Sequence, residues 1–276
     1  MSNDAYFKDK VCVITGAGSG IGRALAENLA KRGAHLALSD IDAEGLAETV
    51  RRCEKFGVKI KSDRLNVAER EAVLLYADAV KKHFGKVNQI YNNAGIAHHG
   101  NVTDTAFKDF DRIMDVDFWG VVNGTKAFLP YLIESGDGHV VNVSSLFGLI
   151  AVPGQSAYNS AKFAVRGFTE ALRQEMLMSG TPVQVTCVHP GGIKTAVARN
   201  ASVSEGLDQK NLAALFDSKL ALHTPEMAAQ TITEAVRKGH GRVLIGWEAK
   251  ALDLFVRTTA SYYQRISAVV QKRILP

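Results

Sequence analysis

An apolar run followed at once by a glycine-rich turn constrains the fold of this chain most. VCVIT, residues 11–15, is rich in β-branched side chains and predicts a buried parallel strand. GAGSGIG follows directly, and IGRALAENLAKRG then shows the periodicity of a helix. This order favours a pyrophosphate site, because backbone N–H groups and the helix dipole face the anion. We predict a dinucleotide site here, and a glycine turn that serves packing alone is an equal alternative.

The rest of the chain continues to alternate between strands and helices. Apolar runs predict strands at HLALSD, VKIKSD, KVNQIYNNAG, HVVNVSS, VQVTCVHP and RVLIG, and one long helix is predicted from about residue 104 to 134. This order predicts an α/β fold of the Rossmann type, a doubly wound parallel sheet of about seven strands with helices on both faces. We expect one domain over residues 1–276, with a strandless substrate lid at 196–223 and a helical extension at 248–276.

Polar residues end two of the predicted strands. Asp40 lies eighteen residues after Gly22, at the end of the second strand. A carboxylate there can accept hydrogen bonds from an adenosine ribose and repels a 2′-phosphate, which favours NAD over NADP. The alternative is that Asp40 only caps the helix predicted for residues 43–56. The fourth strand closes on residues 92–95, which can line adenine and ribose or form a plain turn.

Ser145, Tyr158 and Lys162 are the candidate catalytic residues. Tyr158 and Lys162 share one face of a predicted helix, where the ammonium can lower the pKa of the phenol from about 10. A phenol tuned in this way can exchange a proton near neutral pH. Ser145 lies at the carboxyl edge of the sheet, where open α/β folds bind ligands. The alternative is ordinary packing, since Tyr and Lys often have this spacing in helices.

Composition excludes several classes of function. The 276 residues carry a formal net charge of +5, without the dense basic run and interleaved aromatics of a nucleic-acid interface. No apolar run approaches the roughly 20 residues of a membrane span, and MSNDAYFKDK lacks a signal-peptide core, so we expect a cytoplasmic location. Only the basic segment after Trp247 offers a membrane or partner surface, with burial against the protein as the alternative. No metal is expected, only reduced structural thiols at Cys12, Cys53 and Cys187.

Together these motifs resemble the short-chain dehydrogenase/reductase family from about Lys10 to Trp247. The resemblance rests on TGAGSGIG, NNAG, YNSAK and PGGIKT, and on Ser145 thirteen residues before Tyr158. It implies that Tyr158 is the general acid/base, that Ser145 orients the substrate oxygen, and that Lys162 binds the nicotinamide ribose. The expected NAD contacts are Gly16, Ser19, Gly20, Ile21, Gly22, Asp40, Asn66, Val67, Asn93, Ala94, Gly95, Tyr158, Lys162, Pro190, Gly191, Ile193 and Thr195.

Two positions depart from the family pattern. Asp117 stands where the family usually has an Asn that supports a water-linked proton path to the Lys. An ionised Asp117 would stabilise the ammonium of Lys162 and compete with its effect on Tyr158, whereas a neutral Asp117 would still hold the water. We expect activity to survive with an altered pH optimum. Asn66 replaces an Asp that commonly touches adenine, and an amide can make similar contacts.

The resemblance implies an NAD(H)-dependent oxidoreductase that interconverts a secondary alcohol and a ketone, as a homodimer or homotetramer. The alternative is a catalytically weak NAD-binding regulatory or partner protein. His189, alone at a strand end, is expected to be structural. Apolar residues after Ser145 and in the lid predict a hydrophobic alcohol such as a steroid, terpenoid or lipid derivative. These residues are Leu146, Phe147, Leu149, Ile150, Val152, Val197, Leu212, Leu215, Phe216 and Leu220.

Overall fold

A parallel sheet of seven strands forms the centre of the protein. The structure is a computed structural model that describes residues 5–215, 218 and 221–274, without the side chains of residues 198, 213, 215 and 271–274. The strand order is β3-β2-β1-β4-β5-β6-β7, and every neighbouring pair is parallel. The predicted Rossmann-type fold is thereby confirmed. The strands are β1 Val11–Thr15, β2 His35–Asp40, β3 Ile60–Arg64, β4 Gln89–Asn92, β5 Gly138–Val143, β6 Val183–Pro190 and β7 Arg242–Ile245.

Helices cover both faces of this sheet. Because successive strand residues point to opposite faces, Ile14 packs in one core with α1, α2 and α9, while its neighbour Val13 packs in a second core with α3, α5 and α6. Both cores are continuous under the strands, so the carboxyl ends of the strands are held in fixed positions. The helices are α1 Gly20–Lys31, α2 Ala43–Glu54, α3 Arg70–Phe84, α4 Phe107–Met114, α5 Gly120–Glu134, α6 Ser156–Ser179, α7 Ala196–Arg199, α8 Gln209–Leu215, α9 Pro225–Arg237, α10 Trp247–Thr259 and α11 Tyr263–Ile274.

The long helix predicted from residue 104 to 134 is interrupted. Helix α4 ends at Met114, a π-helical turn covers Asp115–Trp119, and α5 begins at Gly120. Apolar side chains continue through this region, so no local signal marks the wider turn. The turn carries the fully buried Asp117, and π-helical turns are frequent at functional sites.

The segment predicted to lack strands contains a short one. Ser202–Val203 pairs in parallel with His98–His99, in a ladder too short to show strand periodicity in sequence. Buried side-chain contacts hold this ladder: His98 Nδ1 lies 2.9 Å from Ser202 Oγ and its Nε2 lies 3.2 Å from Ser204 Oγ. The loop after β4 is therefore attached to the segment that follows β6.

The C-terminal extension packs against the loop that follows Ser145. Ala249 of α10 and Tyr263 of α11 form a buried cluster with Leu146, Leu149 and Ile150. These three loop residues, predicted to line a substrate pocket, are therefore buried against the extension. Among the described residues, no helix is both long enough and apolar enough to cross a membrane.

Two helical glycines offer a test of this packing. A Cβ on Gly124 in α5 would overlap Oδ1 of Asn92, whereas a Cβ on Gly167 in α6 would meet nothing within 4 Å. Overpacking costs about 1–3 kcal/mol, while Ala in an open helical position gains roughly 0.5–1 kcal/mol over Gly. We expect Gly124→Ala to lower the thermal unfolding midpoint and Gly167→Ala to raise it, measured by circular dichroism. Shifts of the same sign in both variants would contradict the packing described.

Candidate active site

The glycine turn between β1 and α1 leaves backbone exposed at the carboxyl edge of the sheet. Gly16 has a φ of 65°, and a Cβ there would come 2.7 Å from Cα of Ala94. A Cβ on Gly22 would overlap the carbonyl oxygen of Gly16. Packing thus requires both glycines, and the turn still presents its backbone and the N-terminus of α1 to an anion.

The NNAG motif holds this turn in place. Thr15 Oγ1 accepts the backbone N–H groups of Asn93 at 3.0 Å and Ala94 at 3.1 Å. The side-chain amide of Asn93 donates to the carbonyls of Thr15 at 3.0 Å and Gly16 at 3.2 Å. The donors of Asn93 are therefore used inside the protein, and its contact with a cofactor stays a prediction.

Asp40 lies beside the glycine turn and does not cap α2. One carboxylate oxygen accepts the N–H of Gly18 at 2.7 Å, and the other accepts the N–H of Asp42 at 2.9 Å. Helix α2 is capped by Asp42, which accepts the N–H of Glu44 at 3.1 Å. The capping alternative for Asp40 is wrong, and its charge lies at the end of β2 next to the dinucleotide turn.

A cleft at the N-terminus of α1 adds residues that the sequence did not single out. Arg23 donates to the carbonyls of Gly18 and Gly45, and it lines the cleft together with Lys194. Neither residue stands in a spacing that indicates a role. The predicted contacts Ser19, Gly20 and Thr195 line the same cleft.

The remaining predicted cofactor residues lie along the same edge of the sheet. Asn66 holds the turn before α3 by accepting the N–H of Ala68 at 3.2 Å, and the carbonyl of the buried Val67 accepts Asn123 Nδ2 at 3.0 Å. Ile21 packs partly buried against the core. The loop from Pro190 to Thr195 follows β6.

Ile193 of this loop stays a predicted cofactor contact. Its side chain is buried in the core with Ile245.

Lys162 and Asp117 form a buried ion pair next to the NNAG turn. Lys162 Nζ lies 3.0 Å from Oδ2 of Asp117, and both side chains are almost completely buried. Oδ1 of Asp117 accepts the N–H of Ile96 at 2.8 Å. A Cβ on Gly95 would lie 3.3 Å from Lys162 Nζ, so the NNAG turn and the ion pair are in contact.

Tyr158 is in contact with both Lys162 and Ser145. The ammonium of Lys162 lies 5.4 Å from the centre of the phenol ring. Ser145 Oγ accepts the N–H of Phe147 at 3.1 Å, which leaves its own proton for the phenol oxygen. The structure thus brings together all four predicted catalytic residues, Ser145, Tyr158, Lys162 and Asp117.

The pKa of Tyr158 differs in direction from the sequence prediction. Burial of the phenol has the largest effect and raises its pKa above the usual value, and Asp117 adds to that rise. Lys162 and the hydrogen bond from Ser145 act in the opposite direction without overcoming burial. The expected lowering by Lys162 is present, but the net direction was wrong because sequence spacing contains no information about desolvation.

Burial and neighbouring charges also have opposing effects on the pKa values of the ion pair. Burial disfavours the ammonium of Lys162, but Asp117 and Tyr158 outweigh it and raise its pKa, so Lys162 stays charged. Burial also raises the pKa of Asp117, against the effects of Lys162 and the Ile96 N–H. The substitution of Asp for the usual Asn therefore adds a titratable group in direct contact with Lys162, a candidate catalytic residue.

Two residues position Ser145 and the chain that follows it. His189 Nδ1 lies 3.0 Å from the backbone carbonyl of Ser145, and burial lowers the pKa of His189 to about 4, so the neutral ring donates this hydrogen bond. Asn159 donates to the carbonyls of Phe147 at 2.8 Å and Ile150 at 3.0 Å. This contact agrees with the structural role expected for His189, which stays a prediction. Asn159 was missed, although it follows Tyr158 directly within YNSAK.

Comparison with known proteins agrees with this geometry. A sequence profile described as short chain dehydrogenase matches residues 10–206. The chain belongs to the short-chain dehydrogenase/reductase family. It is 67% identical over 270 residues to a Mycobacterium tuberculosis protein named "Putative oxidoreductase SadH", covering 98% of each chain. It is 34% identical to the Xenopus tropicalis "Dehydrogenase/reductase SDR family member 7B", covering 94% of this chain and 84% of that one.

A solved structure gives the same result for the fold. A short-chain dehydrogenase/reductase from Burkholderia phymatum, crystallised in complex with NAD, superposes with a TM-score of 0.86 at 28% identity, covering 93% of this chain and 96% of that one. The family membership makes this chain an oxidoreductase with a candidate catalytic group at the carboxyl edge of its sheet.

Replacing Asp117 with Asn should shift the pH dependence of activity. The amide keeps an acceptor for the N–H of Ile96 but removes the negative charge that raises the pKa of Tyr158. As long as Lys162 keeps its proton, the phenolate then forms at lower pH. We expect the alkaline rise of kcat for alcohol oxidation to move down by up to about one pH unit in Asp117→Asn. The exposed Asp115→Asn on the same π-helical turn is the control, and an unchanged or upward-shifted profile in Asp117→Asn would contradict this role.

Proposed function

We propose that this short-chain dehydrogenase/reductase interconverts a secondary alcohol and a ketone with NAD(H). The proposal rests on a contact between the NNAG turn, beside the dinucleotide site, and Lys162, beside Tyr158. Gly95, at the end of the turn that supports the dinucleotide groove, lies against the ammonium of Lys162, which in turn lies beside Tyr158. A cofactor in the groove and an alcohol at Tyr158 would therefore be neighbours.

The residues of the site suit NAD. The glycine turn at the N-terminus of α1 can face a pyrophosphate, because its glycines have no side chains in the way. Asp40 at the end of β2 favours an unphosphorylated ribose. The Burkholderia phymatum relative, crystallised with NAD, supports this assignment. When bound, NAD+ supplies a hydride acceptor and a positively charged ring, and that charge favours an ionised phenol.

The catalytic residues then have distinct tasks during oxidation. Tyr158 as phenolate accepts the hydroxyl proton of the alcohol, and Ser145, which donates to the phenol when no substrate is bound, would donate instead to the reacting oxygen and hold it. Lys162, charged through its contact with Asp117, stabilises the phenolate and binds the nicotinamide ribose. In the reverse direction Tyr158 returns the proton to the carbonyl oxygen.

The proposed substrate is a hydrophobic alcohol or ketone. Phe147 packs edge-to-face on Tyr158, with ring centres 6.2 Å apart, and so brings an apolar surface to the reacting oxygen. We propose that residues 196–223 act as a lid over this surface, with Val197 and Leu212 as contacts. Three predicted lid contacts lie outside the described residues or side chains: Leu215, Phe216 and Leu220.

Fluorescence titration with NADH and NADPH, followed by an alcohol panel, tests the proposed function. We expect tighter binding of NADH, because Asp40 repels the 2′-phosphate. With NAD+, we expect oxidation of 2-octanol, 1-phenylethanol or a 3-hydroxysteroid in preference to glycerol and sorbitol. Preference for the polyols would contradict the hydrophobic substrate. Binding of NADH without turnover of any alcohol or ketone would favour the alternative of a regulatory NAD-binding protein.

Tyr158→Phe isolates the proton-transfer step. The variant keeps the ring against Phe147 but removes the phenol oxygen that accepts the proton. We expect kcat to fall by about 10²–10⁴-fold, with the Kd for NADH nearly unchanged. The exposed Tyr262→Phe is the matched control. Near-normal turnover of Tyr158→Phe would exclude the proposed role.

The homo-oligomer stays a prediction, and exposed apolar residues support it. Helices α4 to α6 and the π-helical turn present six large apolar side chains to solvent, as expected if these helices pair between subunits. They are Phe107, Trp119, Ile133, Phe163, Leu177 and Met178. A single-chain mass in light scattering would contradict the homo-oligomer. The cytoplasmic location and the single domain likewise stay predictions.

A further inference from the structure

The C-terminal extension, residues 247–274, lies outside the part of the chain matched by the family profile, yet it contacts both sides of the candidate active site. We infer that the extension is a working part of that site. In this inference, Glu248 positions the cofactor loop, residues 190–195, and Tyr263 positions the substrate loop, residues 146–153. The names of these loops rest on the proposed function, whereas the contacts themselves do not.

Glu248 connects three segments through one carboxylate. Its Oε1 accepts the N–H of Gly192 at 3.1 Å, in the cofactor loop. Its Oε2 lies 2.8 Å from Nε2 of His223, at the end of the proposed lid. A Cβ on Gly191 would overlap Oε1, so the carboxylate lies directly against the loop backbone. The side chain of Glu248 is only 14% exposed, which strengthens both interactions.

Backbone hydrogen bonds extend this connection along the cofactor loop. The N–H of His223 donates to the carbonyl of Gly192, and the N–H of Lys194 donates to the carbonyl of His223, both at 3.0 Å. The N–H of Gly191 donates to the carbonyl of Ile245 at 2.9 Å. The cofactor loop is thus fixed on one side by β7 and on the other by His223, and Glu248 contacts both His223 and the loop.

Tyr263 makes the corresponding contact on the substrate side. The residue is 7% exposed and packs on Leu146, Leu149 and Ile150, and its hydroxyl oxygen accepts the N–H of Ala151 at 3.3 Å. Phe147, on the same loop, touches the catalytic phenol. Movement of Tyr263 would therefore move the apolar surface next to the reacting oxygen.

These contacts predict separable effects on the two ligands. Glu248 contacts the cofactor loop and His223, whose backbone is bonded to that loop, so its loss should weaken cofactor binding. Tyr263 contacts the substrate loop, so its loss should weaken binding of the alcohol. If the extension only stabilised the fold, loss of Glu248 or Tyr263 would change the unfolding midpoint without separate effects on cofactor binding and alcohol binding.

The cofactor side is tested by NADH titration of full-length variants. We expect Glu248→Ala to raise the Kd for NADH about tenfold, because it removes a partly buried carboxylate acceptor. Glu248→Gln keeps an acceptor for the Gly192 N–H but loses the charge, so we expect about a threefold rise. The exposed Glu175→Ala and Glu175→Gln on α6 are the matched controls. An unchanged Kd in Glu248→Gln and in any folded Glu248→Ala would overturn this half of the inference.

The substrate side is tested with Tyr263→Phe and the control Tyr262→Phe. We expect Tyr263→Phe to raise the KM for the best alcohol of the panel about threefold or more, with kcat and the Kd for NADH unchanged. We also expect faster cleavage of the substrate loop by chymotrypsin, a readout that needs no turnover. An unchanged KM together with unchanged cleavage would overturn this half.

The proposed function and the role of the extension can be tested separately. If the wild-type protein oxidises no alcohol, the proposed function fails, while NADH titration and chymotrypsin cleavage still decide the role of the extension. If the wild-type protein is active and neither variant differs from its control, the inference about the extension fails alone.

Discussion

The buried ion pair between Lys162 and Asp117 is the interaction on which the site depends. Removing one partner of such a pair typically costs about 3–5 kcal/mol, since the other charge is left uncompensated. The pair joins α6 to the π-helical turn, and the Ile96 N–H joins it to the loop after β4. Three separate segments are therefore held at one point, and Tyr158 is placed beside the point where they meet.

The sheet explains why cofactor and substrate residues meet there. In the order β3-β2-β1-β4-β5-β6-β7 the connections reverse direction between β1 and β4, which is where open α/β sheets bind ligands. The glycine turn follows β1, the NNAG turn follows β4, and Ser145 follows β5. Because all these strands are parallel, the residues that follow them lie at the same edge of the sheet.

Much of this arrangement could be predicted from sequence, because strands and motifs have local signals. Glycines with a required conformation, a Tyr and Lys on one helix face and a Ser at a strand end predicted the fold, which is confirmed, and the residues that are proposed as catalytic. The π-helical turn, the short ladder at Ser202–Val203, Glu248 and Tyr263 had no such signal, since each depends on contacts between distant segments. The pKa of Tyr158 was predicted in the wrong direction for the same reason, because burial depends on the folded surroundings.

Hydride transfer from the alcohol to NAD+ is tested most directly by following the hydrogen at the carbinol carbon. The best alcohol of the panel would be prepared with deuterium at that carbon, incubated with NAD+ and the wild-type protein, and the reduced cofactor analysed by mass spectrometry. If hydride moves from the alcohol to NAD+, the deuterium appears in the reduced nicotinamide and oxidation is slower than with the unlabelled alcohol. Oxidation of the alcohol with no deuterium in the cofactor would contradict it.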